Sequence, residues 1–144
     1  MKSNLTQEFF MSKLLFAAIA LMSTVAFARP DYPNVAGQVY GGWIAPTYSE
    51  NGFTLNGRLY FNPTSVLAKS ICTYRGTTLE VEVAGRASYT ANTINSLSRA
   101  ENTVSQNGFD CTSSIEPMTF NYIVTVNVLT LMVQGESLRL NREL

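Results

Sequence analysis

Between residues 36 and 144 apolar and polar positions alternate with a period of two, Thr, Val, Tyr and Asn are frequent, and turn signals recur at short intervals. That pattern predicts antiparallel β structure. In Phe53-Thr54-Leu55-Asn56-Gly57-Arg58-Leu59-Tyr60-Phe61 the odd positions are apolar apart from Gly57, Asn56 and Arg58 take the opposite face, and Asn62-Pro63 closes the run. Leu79, Val81 and Val83 alternate with Glu80 and Glu82, and Gly76 and Gly85 read as the boundaries of that strand. Met118, Phe120, Tyr122 and Val124 form a further run, whose phase changes before Leu129, Leu131 and Val133 and so places a tight turn around Val126 and Asn127. Gln134-Gly135-Glu136 turns the chain into Ser137 to Leu140. Gln106-Asn107-Gly108 is a hairpin signal, because Asn-Gly accepts the positive φ angles of a type I′ turn.

The runs near 36–45, 53–61, 66–75, 78–84, 87–95, 102–105, 109–115, 118–125, 128–133 and 137–142 amount to eight to ten strands. A short helix over Ile94 to Arg99 is the alternative in the least regular stretch. So many short strands in one small domain form either a two-sheet sandwich or a closed barrel. Closure also removes aggregation-prone edges, so the expected fold is an all-β, antiparallel up-and-down barrel of about eight strands.

The amino-terminal residues break this pattern. Met11 to Ala28 carries a basic start, an uncharged apolar stretch and an Ala26-Phe27-Ala28 cleavage signal, the order of a secretory signal peptide. Met11-Ser12-Lys13 makes the more normal basic start, which marks Met11 as an alternative initiator. The uncharged stretch Leu14 to Phe27 covers 14 residues, whereas spanning a bilayer takes about 20. The expected organisation is a signal peptide over 1–28, a loose lead-in over 29–35 and one barrel domain over 36–144. The expected product is exported, periplasmic or extracellular, soluble, and without an integral membrane segment after processing.

Residues 29–144 hold eight basic and nine acidic side chains, a net charge of −1 with no basic cluster. That balance argues against nucleic acid or an anionic membrane as partner. Two cysteines, Cys72 and Cys111, lie far apart without a Cys-x-x-Cys, and in an exported chain they read as one structural disulfide.

Three places resemble the lipocalin and calycin group of up-and-down barrels. Gly41-Gly42-Trp43 matches its Gly-x-Trp, and Leu138-Arg139-Leu140-Asn141-Arg142 is similar to its final strand. Phe120-Asn121-Tyr122 resembles in part its Thr-Asp-Tyr signature, lacking the threonine and the aspartate. The resemblance implies that an arginine, Arg142 first and Arg139 second, packs on Trp43 and closes the barrel bottom by cation–π stacking.

No histidine occurs, which removes His-based triads, His general bases and His metal sites. No metal site and no cofactor are expected. Glu80 and Glu82, two residues apart on one strand, share its solvated face. Lys69 near Ser65 and Ser70 makes a Ser/Lys dyad only on paper, so no enzyme is expected. Aromatic residues are the unusual resource. A barrel holding a small apolar or amphipathic ligand would line its cavity with Tyr40, Trp43, Phe61, Tyr89, Phe120 and Tyr122. The competing expectation is a protein-interaction module, such as a hydrolase inhibitor of the cell envelope, comparable to disulfide-braced barrels that block lysozyme. It would present Ser105 to Asn107 or Glu50 to Gly52, held rigid by the Cys72–Cys111 bridge. Internal volume separates the two, since a ligand site needs roughly 300 Å³ or more.

Overall fold

The computed structural model describes residues 38–144. The expected signal peptide (1–28) and lead-in (29–35) lie outside the described residues. Among the described residues eleven strands run in chain order: β1 (Gly41–Ile44), β2 (Tyr48–Glu50), β3 (Phe53–Asn62), β4 (Ser65–Tyr74), β5 (Thr77–Tyr89), β6 (Thr93–Ser96), β7 (Ala100–Gln106), β8 (Phe109–Ile115), β9 (Met118–Val124), β10 (Val128–Val133) and β11 (Glu136–Arg142). Hydrogen bonding follows the order β1-β11-β10-β9-β6-β5-β4-β3, and β3 pairs back onto β1 with Trp43 opposite Leu59. Eight antiparallel strands thus close a barrel. The short β2 lies outside that circuit on β3, and β7 and β8 form a separate hairpin inserted between β6 and β9.

Local chemistry explains the irregular points. β1 and β2 follow one course along β3, interrupted at Ala45-Pro46-Thr47, where proline has no N–H to give to a ladder. The Ala45 N–H still reaches the Gly57 carbonyl at 2.9 Å, so the course resumes. Gly85 is not a strand boundary, contrary to the sequence pattern: β5 runs through it to Tyr89. A Cβ there would lie 3.1 Å from Ser98 Oγ and 3.5 Å from Ile115, so the glycine serves a close approach rather than a turn. The helix considered over 94–99 is replaced by β6, which bridges β5 and β9 with the buried Ile94 opposite Tyr89 and Phe120. Those two strands would otherwise expose edges, and that need outweighs local propensity.

Inward side chains make two cores. The larger fills the barrel and includes Trp43, Phe61, Tyr122, Leu129, Leu138 and Leu140. Here Arg142 closes the barrel, its guanidinium carbon 4.2 Å from the Trp43 ring centroid, while Arg139 is exposed. The smaller core lies where β3, β4 and β5 meet the hairpin and contains Phe53, Leu55, Cys72, Leu79, Phe109 and Cys111. Cys72 on β4 and Cys111 on β8 are joined by a disulfide, which pins the hairpin to the barrel wall.

Turn chemistry differs between the two ends. At one end Asn51-Gly52, Arg75-Gly76, Asn107-Gly108 and Gln134-Gly135 each place two successive residues at positive φ, the type I′ geometry that matches strand twist. The opposite end turns at 63–64, 90–92 and 125–127 without glycine.

Candidate functional site

The six aromatic residues singled out for a ligand cavity do come together, in or against one buried cluster. Tyr89 meets Tyr40 edge-on at 5.3 Å and Phe61 at 6.2 Å between ring centroids. Trp43 and Tyr122 are fully buried, and Tyr40, Tyr89 and Phe120 pack against the same cluster. Their polar tips are tied down within the wall: Trp43 Nε1 donates to the Val39 carbonyl (2.8 Å), Tyr89 to that of Ser65 (3.0 Å) and Tyr122 to that of Thr90 (3.0 Å). Burial, and then Tyr40 beside them, pushes the Tyr89 and Tyr122 hydroxyls above the usual phenol range.

A cavity of about 50 Å³ lies elsewhere, where small side chains face each other at Ala45, Gly57, Ala68, Ser70 and Ser113, with Leu138 beside them. None of the six aromatic candidates lines it. Lys69 and Ser70 take opposite faces of β4: Lys69 Nζ approaches Glu80 at 3.8 Å, whereas Ser70 is buried. Glu80 and Glu82 are exposed, and among the described residues no group of three or more Cys, Asp or Glu is placed to hold a metal. No helix among them is long and apolar enough to cross a membrane.

The second candidate surface is assembled at the hairpin end. Tyr74, the last residue of β4, pairs with Phe53 just after Asn51-Gly52 and with Thr77 just after Arg75-Gly76. The Tyr74 ring also meets Phe109, just after Asn107-Gly108, at 5.7 Å. Asn107 Nδ2 donates to Thr77 Oγ1 at 3.0 Å, joining the β7–β8 tip to the β4–β5 tip. The disulfide sits three residues from Arg75 on one strand and three from Gly108 on the other, with both sulfur-bearing residues buried. Three exposed tips therefore stand on one braced base.

Both loops named from the sequence belong to this surface, and the structure adds a third, Arg75-Gly76, of which the sequence pattern marks only Gly76, as a strand boundary. Arg75 is exposed, at φ 50°, with its guanidinium carbon 5.1 Å from the Tyr74 ring centroid. An X-Gly dipeptide between two alternating runs was the available signal. Around these tips Glu50 accepts from the Tyr48 hydroxyl, which burial and then that carboxylate push up in pKa, and Ser105 donates to Asp110.

No family model matches the chain, and no curated protein or solved structure is significantly similar to it.

Proposed function

We propose that the protein is an exported, non-enzymatic interaction module of the cell envelope or extracellular space that engages a protein partner through the tips Asn51-Gly52, Arg75-Gly76 and Asn107-Gly108. The observation that carries this reading is the bracing of the Arg75-Gly76 and Asn107-Gly108 tips by the Cys72–Cys111 bridge and the Asn107–Thr77 hydrogen bond, with Asn51-Gly52 joined to them through the Phe53–Tyr74 pairing. A surface ordered before binding loses little conformational freedom in the complex, which is how small rigid domains hold partners tightly. A secreted hydrolase is the partner class this module suits, with inhibition as the result of its capture.

Among the described residues, the packing favours this reading over a ligand carrier. The cavity beside Leu138, about 50 Å³, is well short of the roughly 300 Å³ of a small-molecule site, and the aromatic candidates pack in or against one buried cluster.

The test uses the oxidised protein purified from its own host, immobilised and exposed to envelope and secreted fractions. The expected outcome is a protein captured by the parent and by Phe120→Ala but lost with Asn107→Arg. A small molecule that leaves the parent on denaturation in native mass spectrometry, with no protein captured, would overturn the proposal.

A further inference from the structure

Resting on that reading, we infer that Arg75 is the anchor of the tip surface and that the partner meets it with a carboxylate. The position is costly for arginine. At φ 50° it lies in the left-handed region that glycine and asparagine enter most readily; the Asn51-Gly52 and Asn107-Gly108 tips use asparagine at the equivalent site, whereas the β10–β11 turn uses Gln134. Arginine there gives up stability that asparagine would retain.

Its side chain is also presented rather than employed. The guanidinium carbon lies 5.1 Å from the centroid of the Tyr74 ring, which in turn meets Phe109, so the cation rests on an aromatic pair that is itself packed. Arg75 takes part in none of the three ion pairs among the described residues, Arg58–Glu143, Lys69–Glu80 and Arg99–Glu116. Of the carboxylates near the tips, Glu50 takes the Tyr48 hydroxyl and Asp110 takes the Ser105 hydroxyl. An exposed guanidinium has two parallel N–H groups to give, and its matching acceptor is a carboxylate bound in bidentate fashion. Stacked arginine and tyrosine at the centre of a surface are also the residue types that dominate binding energy.

The experiment titrates isotope-labelled protein with the blocked peptide acetyl-hexaglutamate amide at low ionic strength, with the hexalysine peptide as control, and follows the Arg75 Nε–H and the amides of Gly52, Gly76 and Gly108 by NMR. Hexaglutamate is expected to shift these signals and hexalysine to leave them in place. Arg75→Lys should weaken the response several-fold, because charge remains but the fork is lost, and Arg75→Asn should weaken it at least tenfold. Asparagine tolerates the left-handed turn, so the second variant keeps its fold. Shifts centred on Lys69 or Arg139, no shifts at all, or an undiminished response in Arg75→Asn would overturn the inference. In the capture assay, a partner lost with Asn107→Arg but kept by Arg75→Asn would remove the anchor and leave the tip surface standing. A partner kept by both variants would remove the tip surface as well.

Discussion

Arg142 stacks over Trp43 at 4.2 Å and from that position also donates to three backbone carbonyls, those of Gln38 (2.7 Å), Tyr40 (3.3 Å) and Val126 (2.7 Å). One side chain therefore ties the entry to β1, the β9–β10 turn and the core tryptophan together, at the point where Trp43 on β1 pairs with Arg142 on β11. Removing it loses a cation–π contact and several charge-assisted hydrogen bonds at once. Arg142→Ala is expected to cost about 2 to 4 kcal/mol in urea unfolding. Arg142→Lys should recover less than half of that, since an ammonium cannot reach three diverging carbonyls while lying flat on the indole.

The disulfide spans a separation of 39 residues, and in the chain-entropy model its loss destabilises the fold by about 4 kcal/mol. Cys72→Ala with Cys111→Ala should lower the urea midpoint by a corresponding amount. The β7–β8 hairpin should loosen first, because the bridge is its covalent tie to β4 and the second core is built around it. Hydrogen exchange would then be fastest in β7 and β8 while β3, β4 and β11 keep their protection. In the parent, both cysteines are buried. Mild reductant should therefore act only as fast as the hairpin opens, and the reduction rate should rise with urea below the unfolding midpoint.

Much of the barrel was legible because its strands are amphipathic. The odd positions of β3 and the even positions of β9 alternate so regularly that the facing residues can be read directly, and β8 and β10 end where the pattern places them. Where reading failed, tertiary contact decided. Gly85 looks like a turn residue, yet it is a site of close packing under Ser98 and Ile115, and no single strand carries that information. β6 has too little alternation of its own and exists because β5 and β9 need a strand between them. The tip surface was partly readable, since Asn107-Gly108 names its own turn. Arg75 was not, because only the register of β4 on β3 and the path of β8 bring it beside Asn51 and Asn107.

Alkaline pH should weaken the fold through two core tyrosines, Tyr122 buried and Tyr89 half-buried. Tyr89 and Tyr122 have folded pKa values raised above the unfolded value near 10. Below about pH 10 both states keep the phenolic proton, so these groups leave stability flat there. Above it the unfolded chain releases the proton first, the folded state binds more protons, and stability falls as pH rises toward the folded values. Urea midpoints measured from pH 8 to 11 should be level and then decline, and Tyr89→Phe should make the decline shallower. Absorbance near 295 nm should show Tyr89 and Tyr122 ionising later in folded than in urea-unfolded protein.

The interior offers the sharpest contrast between a filled barrel and a carrier. Leu138 is buried on β11 and borders the cavity of about 50 Å³, next to Ala45 and Gly57. Leu138→Ala adds its own void to that space, and the side chains of the neighbouring Ala45, Ala68, Ser70 and Ser113 are too short to fill it. The cost should fall in the range of about 2 to 5 kcal/mol, toward the upper part if the wall cannot collapse. The enlarged space would be apolar and of a size that takes a rare-gas atom or a benzene molecule. Benzene is therefore expected to raise the melting temperature of Leu138→Ala in a saturable manner and to leave the parent unchanged. A saturable rise in the parent would mean that its wall opens to admit apolar molecules, and the carrier reading would regain the advantage that the packing of Trp43, Phe61 and Tyr122 now denies it.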